Sequence, residues 1–402
     1  MGVLHWYVSS TLKRVFPILA LCIFSSMLGI GILAPILPIY AESLGASGVW
    51  LGVIFSGYAI SRTFVMPFIG RLSDRRGRKP ILAVGLVAFA LTSFAYVLAD
   101  SVISLFIIRL LQGATSCLVQ PIAQAYVGDL APEGEEGKWM GYCNGVFFLG
   151  WGSGPLTGGI LTDFVGMNSA FYVMGGLNLL AFIGVLIFLP ESEKRQKTVV
   201  AESSYREALS GNVTRGVFSY QMGNSGHRAI VQTFLPVFGG LTIGLSQSLV
   251  GTILSVLVIG AAFIQIPGGK IADRFDKRLV VFLGGMGVLV SMVVLTRATG
   301  FWMLLGLLGI ALVGDATSYP SASALIVEEG RKYGMGMAMA IFNISMSIGM
   351  SIAPILAGWA ADVWGIRSAF YFAAFIMLVF TFGFAGFTRK HTGSDGGEQP
   401  AV

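Results

Sequence analysis

The chain has 402 residues, of which 55% are hydrophobic and 11% charged, with a formal net charge of +6. An average soluble domain carries about 25% charged residues. So low a charge content excludes a water-soluble fold and places most of the chain in a membrane.

A spanning helix needs about 20 mostly apolar residues. Twelve segments qualify, over residues 16–40, 51–69, 81–99, 102–127, 139–161, 169–189, 213–238, 249–266, 279–296, 301–327, 334–359 and 368–387. They predict an all-α polytopic membrane protein. The first is longer than a signal-peptide core and lacks a small-residue cleavage site, so it is expected to be retained. The second carries Arg62 and leads into a charged loop, where Gly70 and Gly77 are expected to permit a tight turn. The fourth carries Arg109, Gln112, Ser116, Gln120 and Gln124 at near-helical spacing and ends close to Asp129. In the fifth, Gly150, Gly154, Gly158 and Gly159 mostly share a face that admits a neighbouring backbone, and Pro155 is expected to kink the helix. A plain packing face is the alternative to a transport role for these glycines.

Residues 190–212 are too polar to span and predict a cytoplasmic linker between bundles at 1–189 and 213–388. The seventh segment bears Gln221, Asn224, Ser225, Arg228 and Gln232 in an i, i+3, i+4, i+7, i+11 stripe, with His227 beside it. The eighth ends in a second charged loop holding Asp273 and Arg274, and the tenth carries Asp315, Ser318 and Tyr319. Residues 389–402 read as a disordered cytoplasmic tail. Cys22, Cys117 and Cys143 fall inside predicted helices as small packing residues. No disulfide framework, metal site or cofactor is implied.

With the N-terminus inside, 21 of the 26 Lys and Arg residues fall in cytoplasmic segments, and the outer loops keep Arg297 and Arg367. The positive-inside rule then predicts a multi-pass inner-membrane protein with both termini cytoplasmic. The basic balance is orientation and not a nucleic-acid surface.

The two halves repeat. Gly70-Arg71-Leu72-Ser73-Asp74-Arg75 returns as Gly269-Lys270-Ile271-Ala272-Asp273-Arg274, Pro121 as Pro320, Asn144 as Asn343, Pro155 as Pro354, and Ser169-Ala170-Phe171-Tyr172 as Ser368-Ala369-Phe370-Tyr371. Each pair lies 199 positions apart. Parallel six-helix repeats around a midplane site suit alternating access by rocking.

The stretch Gly70-Arg71-Leu72-Ser73-Asp74-Arg75-Arg76-Gly77-Arg78-Lys79 resembles the loop 2–3 signature of the major facilitator superfamily. Arg109 with Gln112 and Gly113 resembles that family's helix 4 motif. Gly150 to Gly159, with Pro155, resembles its antiporter motif in helix 5. The likeness covers the whole chain through the repeat and is nearest to the twelve-helix drug:proton antiporter branch. It implies two pseudo-twofold-related bundles, a monomer, and a central cavity lined by helices 1, 4, 7 and 10. It also implies a cytoplasmic gate in which Asp74 and Arg78 link to Asp129 and lock the outward-facing state, with Arg75 alongside and Arg109 assisting proton movement. The second copy departs from the pattern, because Asp276 replaces the second glycine, and its latch, at Asp273 and Arg274, is expected to be weaker. The bland reading of the first loop is a solvated basic turn that serves topology alone.

Ionisable residues inside a bilayer cost at least about 2.5 kcal/mol each and mark function by default. Arg62, Arg109, Arg228 and Asp315 qualify, three cations against one carboxylate. Arginine cannot relieve the imbalance by deprotonating. Arg62 and Arg228 are therefore expected to receive an anionic group, to which a guanidinium binds bidentately. Gln120, Gln124, Gln221, Asn224, Gln232 and Tyr319 are expected to line the same cavity. The opposing reading makes Arg228 and Asp315 a structural ion pair between halves while Arg62 snorkels. Asp315 leads as proton carrier, because a buried carboxyl beside a movable arginine can exchange its proton. His227 is the alternative, since imidazole titrates near neutrality, although a packed histidine fits equally well.

Together these features predict a proton-coupled antiporter exporting a small organic or amphipathic anion, with the substrate, protons and lipid as its partners. Efflux of neutral or cationic hydrophobic drugs is the rival. It is weakened because helix 1 offers only Ser25 and Ser26 among apolar residues, where several multidrug relatives carry an acid in that half. A non-transporting sensor on a transporter fold is the third reading. An enzyme finds no nucleophile elbow, phosphate loop or metal cluster to support it.

Overall fold

The computed structural model describes residues 2–132, 135–190, 211–333 and 335–388, with side chains described except at 2–13, 136, 266, 272, 273, 330–333, 335–337 and 340. The predicted linker, apart from its first residue and the last two, and the predicted tail lie outside the described residues. The N-terminal bundle comprises α1 (Gly2–Ser43), α2 (Gly48–Arg76), α3 (Arg78–Ala95), α4 (Val102–Ser116), α5 (Gln120–Leu130), α6 (Glu136–Phe164) and α7 (Met167–Phe188). The C-terminal bundle comprises α8 (Asn212–Val237), α9 (Gln247–Arg274), α10 (Lys277–Leu295), α11 (Phe301–Tyr333), α12 (Met335–Trp364) and α13 (Arg367–Thr388). Only helices appear among the described residues, as a lipid-exposed chain requires, since every backbone group must be satisfied internally.

The fourth predicted segment is two helices sharing one span. Pro121 sits in the first turn of α5 and has no N–H to return to Cys117. Tighter bonds from Cys117, Leu118 and Val119 to residues three back fill the gap. Its repeat partner Pro320 lies inside the unbroken α11, so the two halves differ here.

Ten helices, α4 and α5 counted as one, are long and apolar enough to cross a membrane on composition alone, and α6 and α8 are outside that set. The reasons differ between the two. The described side chains of α8 are buried over most of its length, so it carries polar groups that a lipid-facing helix could not. In α6, eight glycines between Gly137 and Gly159 dilute the hydropathy.

Small residues set the crossings. A Cβ on Gly150 would meet Phe24, one on Gly154 would meet Gly31 and Leu28, and one on Gly158 would meet Ile32, all on α1. Gly159 points elsewhere, onto Gln247 of α9. The bundles meet at two equivalent crossings. Gly52 of α2 packs on the Pro354 carbonyl of α12, and Gly251 of α9 packs on the Pro155 carbonyl of α6. Gly48 with Gly358 and Gln247 with Gly159 extend the same contacts. All lie at the end of the bundle away from the 70–79 loop, the far end. At the loop end, a Cβ on Gly70 or Gly269 would meet nothing within 4 Å among the described residues. The halves therefore touch at the far end and part towards the loop end.

Candidate functional site

The densest polar network lies within the C-terminal bundle, where α8 faces α11. Asn224 Nδ2 donates to Asp315 Oδ1 at 2.6 Å, and Arg228 Nε donates to Oδ2 at 3.1 Å. His227 Nε2 reaches the same Oδ2 at 3.1 Å. Tyr220 donates to Ser318 Oγ at 2.6 Å and accepts from Asn224 at 3.2 Å. Both carboxylate oxygens of Asp315 are thus engaged, and this acid is buried. The ion pair joins two helices of one bundle and does not bridge the halves, because spans seven and ten belong to the same repeat.

The side chain of Arg228 remains 38% exposed, with its guanidinium 5.6 Å from the Tyr319 ring centroid. Only its Nε donates a hydrogen bond to a described residue, so the terminal nitrogens are open. His227 Nδ1 is buried and has no partner among the described residues.

Arg228, His227, Asp315 and Gln232 border a cavity of about 140 Å³. Its other walls are apolar, from Leu254, Val258 and Leu312 of the C-terminal bundle to Phe148 and Trp151 of α6. Ala34 of α1 and Gln265 complete the rim. Hence the cavity lies between the bundles but carries its charge on one side.

The stripes of α4, α5 and α8 mostly turn inward. Arg62 donates to Tyr58 at 3.0 Å and to Gln120 Oε1 at 2.8 Å, and Gln120 donates to Gln124 at 2.9 Å. Arg109 donates to Gln112 at 2.8 Å and stacks over Phe55 and Tyr58, at 5.0 and 5.3 Å. Neither arginine meets a carboxylate within 4 Å among the described residues. Arg62, Gln120, Gln124, Gln221, Asn224 and Tyr319 do not line the cavity described here. Arg62 with Gln120, and Asn224 with Asp315, tie helices together, because a polar group in a bilayer seeks partners, whereas Gln221 Oε1 is buried without a partner among the described residues. Arg62 and Arg228 are thus not brought together in one site.

At the loop end, Arg78 pairs with Asp74 at 2.8 Å and with Asp129 at 3.0 Å, and it also donates to Ser73; these contacts join α2, α3 and α5 of one bundle and are formed although the halves part here, so they do not by themselves lock the outward-facing state. The turn is made by Gly77 alone, at φ +95°, while Gly70 lies inside α2 and makes no turn. In the second copy, the Asp273 side chain lies outside the described residues. Arg274 is exposed and forms no ion pair among them. The pairing falls instead to Lys277 and Glu328, at 2.9 Å. These stand 199 positions after Arg78 and Asp129, so extending the repeat to those two residues reveals them. Asp276, where the glycine is missing, accepts from the Arg278 amide at 2.8 Å and caps α10.

The sequence matches the Major Facilitator Superfamily profile over residues 19–248 and 216–400, which together span both bundles. The chain belongs to this family. An uncharacterised MFS-type transporter of Methanocaldococcus jannaschii is 30% identical over 91% of this chain and 96% of its own length. Multidrug resistance protein 2 of Bacillus subtilis is 27% identical over 91% of this chain and 93% of its own. Among solved structures, a bacterial homologue of the human lysosomal transporter Spinster, inward-facing and occupied, superposes with a TM-score of 0.80 at 13% identity, covering 93% of this chain and 96% of that one. As a major facilitator the chain is a multi-pass membrane transporter of small molecules and not an enzyme.

Proposed function

We propose that this chain transports an amphipathic organic anion by alternating access, with its substrate's charge on Arg228 and its apolar body against Phe148, Trp151, Leu254 and Val258. The observation that carries the reading is the open fork of Arg228. Asp315 holds one edge of the guanidinium, no described acceptor meets its two terminal nitrogens, and the residue borders a largely apolar cavity. A bidentate carboxylate or sulfonate fits such a fork. A cation would have to displace Asn224, His227 and Arg228 from Asp315.

The buried His227 Nδ1 is the natural seat for the coupled proton, since the Asp315 oxygens are already occupied by donors. Imidazolium and bound anion attract. For an anion, proton and substrate therefore bind the same state, which gives co-transport. That is the opposite of the exchange implied by the glycine motif of α6. With the basic loops cytoplasmic, both termini face the cytoplasm and the cavity opens inward.

A second reading, proton exchange for neutral or cationic drugs, is favoured by that glycine motif and by the kinship with a multidrug resistance protein. Quenching of Trp151 in the purified protein separates the two, using aryl carboxylates and quaternary ammonium compounds of matched size. The proposal expects carboxylates to bind and Arg228→Ala to abolish most of that affinity. Preferential binding of the cations, loosening as pH falls and indifferent to Arg228→Ala, overturns it.

A further inference from the structure

At the far end each bundle caps a helix of the other. Asp163, in the last turn of α6, accepts from the Gln247 amide at 3.2 Å, the Ser248 amide at 2.8 Å and the Ser248 hydroxyl at 2.5 Å. Asp362, in the last turn of α12, accepts from the Gly48 amide at 2.5 Å and the Val49 amide at 2.9 Å. These are the first two amides of α9 and of α2. The third amide of each goes to its own cap, Ser246 Oγ for Leu249 at 3.3 Å and Ser47 Oγ for Trp50 at 3.4 Å. A helix start leaves its first amides unsatisfied and its dipole favours a carboxylate. Here the missing acceptor comes from across the interface.

The two arrangements are copies. Asp163 and Asp362, Ser47 and Ser246, and Gly48 and Gln247 are each 199 positions apart. Both carboxylates are exposed and lie outside the cavity, so neither core packing nor substrate contact accounts for their placement. Beside each lies a crossing that opens if the bundles rock. Gly358 rests on Gly48 next to Asp362, and Gly159 rests on Gln247 next to Asp163.

We propose that Asp163 and Asp362 are positioning residues of the transport cycle, a matched pair of clasps that hold the far end shut and release together as it opens. A carboxylate at an exposed helix start shifts such an equilibrium about two- to fivefold. Two separate sites multiply, so losing both gives about four- to twenty-five-fold. The inference concerns only the interface and stands apart from the choice of substrate or coupled ion.

The test uses the full chain in sealed membrane vesicles of each orientation, with Cys22, Cys117 and Cys143 replaced and a Leu254→Cys reporter in the cavity wall. Labelling by an impermeant maleimide is timed from each side. Asp163→Ala and Asp362→Ala should each speed far-side labelling about two- to fivefold and slow loop-side labelling, and the double variant should multiply the effects. Asp163→Asn and Asp362→Asn, which keep one acceptor without the charge, should fall between. A misfolded variant labels faster from both sides, so the opposed changes report the equilibrium and not damage. Unchanged far-side labelling in the double variant, one aspartate carrying the whole effect, or rates rising together on both sides overturns the proposal.

Discussion

Glycines of the same motif should fail in different ways according to the bundle they touch. A Cβ on Gly251 would collide with the Pro155 carbonyl oxygen and lie 2.9 Å from its carbon, and one on Gly52 would collide with the Pro354 carbonyl oxygen and lie 2.5 Å from its carbon. These are backbone atoms that cannot rotate aside. Overpacking of this kind costs about 1–3 kcal/mol. Because the collision lies between two bundles, rocking relieves it, and the penalty falls only on the far-end-closed state. Gly251→Ala and Gly52→Ala should therefore shift the population about five- to 150-fold towards the state open at the far end, with little change in melting temperature. Gly154→Ala is the contrast. Its Cβ would lie 2.6 Å from Gly31 Cα and 2.7 Å from the Leu28 oxygen, inside one bundle. No rocking relieves that, so both states lose stability and melting falls. Spin labels at Phe164 and Leu241, exposed on opposite bundles, report the far-end distance. If Gly251→Ala leaves that distance distribution unchanged and lowers melting as Gly154→Ala does, the crossings are static packing and the rocking interface is misplaced.

Arg228→Lys keeps the charge but loses the fork, and should weaken aryl carboxylate binding about tenfold or more by Trp151 quenching. His227→Gln should uncouple anion movement from proton movement in vesicles while leaving aryl carboxylate binding itself measurable. Lys277→Glu alone should raise loop-end mobility in hydrogen exchange. Pairing it with Glu328→Lys should recover part of the loss, by less than about 1 kcal/mol for so exposed a pair and less still at high salt. Far-end closure should ignore pH across 6 to 8. Burial raises the Asp163 carboxyl, but hydrogen bonds from Ser248, Gln247 and Ser246 outweigh it and hold the group below its ordinary range. A group depressed in the clasped state contributes fully above its ordinary value and is lost only as pH falls, below about 4. Loop-side and far-side labelling rates at pH 6 and 8 check this.

Much of the frame was legible because its cause is periodic. Twelve apolar runs and a constant offset of 199 positions predict two six-helix bundles, and bilayer chemistry permits little else. The break at residues 117–119 was not legible, since Pro121 and Pro320 are identical in sequence and only Pro121 interrupts its helix. The polar stripes were only partly a guide to the cavity: Arg228, Gln232 and Asp315 border it, whereas Arg62, Gln120, Gln124 and Gln221 do not. Spacing shows which residues share a face and not whether that face meets water or another helix, and Gln112 bonded to Tyr96 at 2.9 Å looks in sequence like any cavity glutamine. The role of the far-end carboxylates was not legible, because an aspartate at a helix end has no distinctive neighbours in sequence and the amides it accepts from lie across the interface. Yet Asp163 and Asp362 obey the repeat, and so do Lys277 and Glu328. The offset could have found all four.

The repeat also separates what moves from what binds. Residues at the two ends of the bundles recur in both halves: Gly52 and Gly251, Pro155 and Pro354 and Asp163 and Asp362 at the far-end contacts, and the ion-paired Arg78 and Asp129, matched in charge by Lys277 and Glu328, at the loop end. Residues that carry chemistry at membrane depth do not. His227, Arg228 and Asp315 stand opposite Leu28, Gly29 and Ser116, while Arg62 and Arg109 stand opposite Ala261 and Leu308. Ala261 and Leu308 are themselves apolar walls of the cavity. Rocking needs equivalent hinges on both sides, since each half-cycle closes one end with the same helices that opened the other. A single bound anion needs one fork, and a second guanidinium at Gly29 would leave another charge to desolvate in every state. Symmetry is thus kept where the motion uses it twice and lost where the substrate uses it once. Grafting an arginine at Gly29 should therefore impair folding or transport, whereas putting the Gln247 side chain at Gly48 should open the far end, because its Cβ would lie 2.6 Å from the Gly358 carbonyl oxygen. Paired measurements of expression and of side-dependent labelling would decide both.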